Sequence, residues 1–106
     1  MEFAVRIVNL YKYLQSERGE TVMSTQLLRS GTSIGANVRE GIYAQSRNDF
    51  IAKMSISLKE AVETEYWLEL LSKTEYITKK EYESMMADSS ELAKLLTAIV
   101  KNTKNG

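Results

Sequence analysis

Three residue types are missing from this chain of 106 residues: cysteine, histidine and proline. Without cysteine there is no disulfide framework, no thiol nucleophile and no thiolate metal ligand, which suits an intracellular setting. Without histidine, imidazole acid–base chemistry and the common zinc ligand sets are excluded. Without proline, no bend is enforced in any of the helical patterns described below. Net charge is also lacking, since fourteen basic residues balance fourteen acidic ones, so there is no global pull toward nucleic acid or anionic lipid. No window approaches the ~20 apolar residues that a membrane span needs. The opening Met1-Glu2-Phe3-Ala4-Val5-Arg6 has an early acidic residue and no apolar run before a cleavage pattern, unlike a signal peptide. A cytoplasmic protein of one domain, away from the membrane, is the expectation from this composition and length.

The charge that is present is unevenly placed. Residues 1–59 carry eight Lys/Arg against five Asp/Glu, an excess of +3, and the remainder is at −3. Such a dipole either steers a polyanion or aligns subunits against each other.

Apolar residues recur at helical spacing in four segments, and no β alternation competes with them. The first helix is expected over 3–15, with Phe3, Ile7, Leu10 and Leu14 on one face and Gly19 as its stop. The second, over 22–44, takes Thr21 or Ser24 as its cap and carries the stripe Leu27, Gly31, Ile34, Val38 and Ile42. A third follows over 47–72, opened by Ser46-Arg47-Asn48-Asp49, with Phe50, Met54, Leu58, Ala61 and Leu68 inward. The fourth, over 79–102, starts from the capping-box pattern Thr78-Lys79-Lys80-Glu81 and buries Tyr82, Met85, Ser89, Leu92, Leu96 and Ile99. Short connections between long helices make antiparallel neighbours, so residues 1–106 read as a single all-α domain, an antiparallel up-down-up-down four-helix bundle.

Two features of the third helix exceed a simple core. Glu65 falls near the centre of the apolar stripe, where a buried carboxylate needs a partner such as Ser30, Asn37 or an arginine of the second helix. On the opposite face, Ile56, Trp67 and Leu70 form an apolar line that a monomer would leave in water, which marks an oligomer interface docking near the second helix of a neighbour.

Chemistry finds little purchase. Ser30, Ser33, Ser55 and Ser57 offer hydroxyls but no histidine or other base to activate them, so no catalytic residue is assigned. Glu60, Glu63, Glu65 and Glu69 evoke a carboxylate metal site in a bundle. The di-iron pattern needs Glu-x-x-His, however, and neither a metal nor any other cofactor is expected. Gly31, Gly35 and Gly41 have neither the spacing nor the preceding strand of a phosphate-binding loop. A glycine inside a helix costs roughly 1 kcal/mol relative to alanine. Gly31 and Gly35 are therefore expected where the third or fourth helix approaches closely, although Gly35, to one side of the stripe, also suits a subunit contact. The candidates for nucleic-acid contact are Arg29, Arg39, Arg47 and Lys53, a weak patch in one subunit that repetition around a ring would multiply.

Three segments carry a family resemblance: Leu28-Arg29-Ser30-Gly31-Thr32-Ser33-Ile34-Gly35-Ala36-Asn37-Val38-Arg39-Glu40-Gly41, then Ser46-Arg47-Asn48-Asp49-Phe50-Ile51, then Leu58 through Leu68. Together they resemble the four-helix-bundle family of 23S rRNA intervening-sequence proteins, the element Ser33-Ile34-x-x-Asn37-Val38-x-Glu40-Gly41 most specifically. The resemblance implies an up-down bundle that assembles into a ring-shaped homo-oligomer, a pentamer. Some relatives are accessory proteins of diversity-generating retroelements, which implies RNA or DNA, and another protein such as a reverse transcriptase, as partners. This chain departs from the pattern in having Gly35 where many members have proline, and in being neutral where the retroelement relatives are strongly basic.

Overall fold

The computed structural model describes residues 1–105. Four helices follow one another: α1 Glu2–Arg18, α2 Val22–Ile42, α3 Arg47–Lys73 and α4 Lys79–Asn105, with no strand among the described residues. The domain is elongated, 46 × 20 × 19 Å. Packing is most extensive between α2 and α3, then between α3 and α4, then between α1 and α2; α1 and α4 form no comparable pair.

Local chemistry accounts for the helix ends. Gly19 adopts the left-handed conformation at φ 62° and returns its N–H to Leu14 O, so α1 continues to Arg18, beyond its expected end at residue 15. The start of α2 differs from expectation. Thr21 makes no side-chain cap bond, and Ser24 is fully buried and donates to Glu20 O. The cap is Glu20, whose buried carboxylate accepts from the N–H groups of Val22, Met23 and Ser24 at 2.9, 2.9 and 2.7 Å. One anion thus satisfies three otherwise orphaned donors at the positive end of the helix. Ser46 Oγ accepts from Asp49 N at 3.0 Å to open α3. Before α4 the capping box closes in both directions, Glu81 N to Thr78 Oγ1 at 3.1 Å and Thr78 N to Glu81 Oε1 at 3.2 Å.

The core joins Ile7, Leu10 and Leu14 of α1 to Leu27 and Ile34 of α2, Met54, Ala61, Leu68 and Leu71 of α3, and Met85 and Leu96 of α4. The inward seam of α3 is Met54, Ser57, Ala61, Thr64, Leu68 and Leu71, a strict alternation of three- and four-residue steps. Small hydroxyl residues hold two of those places. The Ser57 hydroxyl donates to Ile34 O at 2.8 Å, and the Thr64 and Ser30 hydroxyls lie 3.1 Å apart across the α2–α3 contact. This corrects two expectations. Glu65 is off the seam and only partly buried, and Ser30, suggested as its partner, faces Thr64 instead. Leu58 is likewise only partly buried.

The glycines of α2 also sort differently. A Cβ on Gly31 would lie 2.8–2.9 Å from three side-chain carbons of Ile7, so the helix that approaches is α1, not α3 or α4. Gly41, rather than Ile42, ends the buried stripe, and its missing Cβ makes room for the Met54 methyl. Nothing lies within 4 Å of a Cβ at Gly35, so this glycine is not a site of close helix packing.

Candidate interaction surfaces

Most of the cations selected from the sequence are engaged within the chain. Arg29 pairs with Glu60 at 3.1 Å and with Glu63. Lys53 Nζ reaches Glu40 at 2.9 Å, and Arg47 Nε donates to Thr103 O at 3.1 Å near the end of α4. The Glu63 carboxyl is held below the usual carboxylate range by the Trp67 indole N–H first and then by the Arg29 guanidinium. Reciprocally, the Glu63 carboxylate pushes Arg29 up, and Glu40 does the same for Lys53. These are solvent-bathed pairs that reduce the field each cation offers a polyanion rather than strong anchors of the fold. Among the described residues Arg39 alone of the four has no protein ion pair or side-chain hydrogen bond. The structure does not gather the four into one patch.

Arg39 instead lines a groove of about 640 Å³. Ile7 of α1 lies against Gly31, and Arg6 donates to Ser84 Oγ of α4 at 2.8 Å, which sets Phe3 beside the groove. Val38 and Ile42 of α2 and Leu92 and Leu95 of α4 supply its apolar lining. Gly35, with no side chain, deepens the trough. Ile42 and Leu95 are 67% and 58% exposed, which makes this an apolar surface left uncovered by the described residues.

The outer face of α3 is the second such surface, but not with the expected members. Ile56 is exposed, whereas Trp67 and Leu70 are half-buried and Trp67 packs against the core. A monomer therefore does not leave Trp67 in water. The exposed apolar pair is Val62 and Tyr66, one turn apart, with Tyr66 meeting the Trp67 ring edge-on at 4.9 Å. The pair escaped the sequence analysis because the expected inward stripe set Leu58 beside Met54, Ala61 and Leu68, where the seam holds Ser57 and Thr64. The heptad spacing of Ser57 and Thr64 with Met54, Ala61 and Leu68 was the available signal.

Ser30 and Ser57 are buried and hydrogen-bonded to neighbouring oxygens, and Ser33 donates to Arg29 O at 2.6 Å. Among the described residues no group of three or more Asp or Glu side chains is placed to hold a metal ion. Among them, too, no helix is long and apolar enough to cross a membrane.

The family model described as 23S rRNA-intervening sequence protein matches residues 1–98. The chain belongs to that family. Within the 23S rRNA-intervening sequence protein family, it is similar to a protein of known crystal structure from Bacteroides thetaiotaomicron, described as of unknown function and from the S23 ribosomal protein family. The two share 68% sequence identity and a TM-score of 0.94, over 94% of this chain and 93% of the other. No curated protein matches the chain.

Proposed function

We propose that this member of the 23S rRNA-intervening sequence family is a non-enzymatic subunit of a ring-shaped homo-oligomer, a pentamer, that works as a protein-interaction scaffold. One observation carries the reading: the chain pairs Arg29 and Lys53 with its own carboxylates and Arg47 with its own backbone, while it leaves an apolar groove open. Cations already paired release few counterions on meeting a polyanion, whereas open apolar area gains by meeting protein. Ring closure and the number five come from the family resemblance. The non-enzymatic reading is supported by buried, hydrogen-bonded Ser30 and Ser57, which have neither access to substrate nor a base.

A second reading, weak binding of RNA or DNA by the assembled ring, is favoured by Arg39 alone, repeated once per subunit. Two measurements test the pair. Light scattering on a sizing column is expected to give a multiple of the subunit mass, and a one-subunit mass at every concentration overturns the oligomer. A gel-shift titration with ribosomal RNA fragments and duplex DNA at ~50 mM salt is expected to show no complex. A complex that fades steeply as salt rises, and that Arg39→Glu weakens, replaces the scaffold reading with the nucleic-acid one.

A further inference from the structure

Two arginines fasten the ends of α1 to the far side of the bundle, and we infer that α1 is a strap, which opens as one unit while α2, α3 and α4 stay folded together. Near its start, Arg6 donates to Ser84 Oγ at 2.8 Å and pairs with Asp88, both on α4. At its end, Arg18 donates to the carbonyl oxygens of Glu75 and Tyr76 at 3.1 and 2.9 Å, in the turn between α3 and α4, and lies over the Tyr76 ring 5.0 Å from its centroid. The helical rise sets these two latches about 18 Å apart. Among the described residues no side-chain hydrogen bond or ion pair joins α1 to α2, so apolar packing alone holds that contact.

The closed state stores unfavourable terms that opening relieves. Glu75 stands at φ 66°, in the left-handed region that a residue with a Cβ rarely adopts, and Arg18 fixes its carbonyl oxygen. Ser89, next to Asp88 and on the buried face of α4, has a hydroxyl with no partner within the protein, a cost that contact with water removes. The remaining three helices lose little support. Glu20 caps α2 from within the connecting turn and Ser24 donates to Glu20 O, so the first turn of α2 keeps its hydrogen bonds when α1 departs. They also retain the two most extensive packings of the bundle, α2 on α3 and α3 on α4. What opposes opening is the burial of Phe3, Ile7, Leu10 and Leu14, which makes the open state a minor one, separate from global unfolding.

Hydrogen–deuterium exchange of the unmodified chain, followed segment by segment by mass spectrometry, tests the strap without any substitution. Amides of Ile7–Leu14 are expected to exchange through an opening roughly tenfold or more as populated as the one that exposes Ala61–Leu68 of α3, and with a shallower dependence on added urea, because less surface is bared. Equal protection and equal urea dependence in the two segments would mean that α1 leaves only when the whole bundle unfolds, and would overturn the inference. The latches are tested separately. Arg6→Ala and Arg18→Ala, with helix content checked by circular dichroism, are each expected to speed exchange in α1 about threefold or more, since each bond is present only when the strap is closed. Lys12→Ala, at an exposed α1 position whose side chain has no partner among the described residues, is expected to leave it unchanged. If the two arginine variants exchange in α1 as the unmodified chain does, the arginines are not latches and this assignment falls.

Discussion

The Trp67 indole N–H donates to Glu63 Oε2 at 2.9 Å one turn earlier on α3, and Arg29 of α2 donates to the same oxygen. Two helices are thereby tied through a single carboxylate atom, and the chain's one tryptophan reports on it.

Both donors favour the ionised carboxylate, so the folded-state pKa of Glu63 lies below its unfolded value. A lowered pKa contributes stability that is present above the unfolded carboxylate value, about 4.3, and is lost as pH falls through the lower folded value. With the Glu63 and Arg29 side chains 35% and 47% exposed, solvent screening keeps that contribution small. Trp67→Phe removes the largest cause of the shift. The Glu63 carboxyl, followed by carbon NMR, is expected to titrate at higher pH in this variant, and an unchanged midpoint would show that the indole hydrogen bond is absent in solution. Fluorescence of Trp67 in the unmodified chain is expected to change over the same acid window.

The three glycines of α2 should respond to alanine in a fixed order. At Gly31 a methyl meets the branched carbons of Ile7, which cannot swing away freely, so overpacking of about 1–3 kcal/mol outweighs the ~1 kcal/mol gained in helix propensity. At Gly41 the closest obstacle is the flexible end of Met54, so the loss is smaller. At Gly35 there is open space, and up to ~1 kcal/mol of stabilisation is expected. Urea denaturation of the three variants checks the ranking; a Gly31→Ala chain as stable as Gly35→Ala would contradict the α1–α2 contact.

Removing the Glu20 carboxylate leaves three N–H groups at the start of α2 without their acceptor, one of them on fully buried Ser24. Glu20→Ala is expected to cost about 1–3 kcal/mol in denaturation midpoint analysis. Glu20→Gln should cost less, because one oxygen remains to accept. Equal losses in the two variants would mean that neither packing nor a single amide oxygen matters and that the negative charge at the helix start carries the effect.

Ser89 is buried on α4 with its hydroxyl unpaired within the protein. Burying an unsatisfied hydroxyl is unfavourable, and alanine is the better helix former, so Ser89→Ala is expected to stabilise the chain by about 1 kcal/mol. A clear loss of stability would instead place a bound water on that hydroxyl.

By itself the sequence determined what depends on neighbours along the chain. The four helices, the stop at Gly19, the Ser46 cap and the Thr78–Glu81 box rest on hydrogen bonds spanning a few residues, so residue type and spacing suffice to read them. Glu20 escaped because a carboxylate two places ahead of the helix became a cap only when the turn buried it. Met54, Ala61 and Leu68 were legible as inward, and tertiary structure decided the rest of the α3 seam. Serine and threonine suit either water or a tight helix contact, and only the close approach of α2 placed Ser57 and Thr64 inside and turned Glu65 aside. The same holds for the cations, since Arg29 meets Glu60 and Glu63 across some thirty residues of chain. The register of α1 on α2 is likewise a tertiary matter, because Ile7 meets Gly31 only through side chains packing across helices.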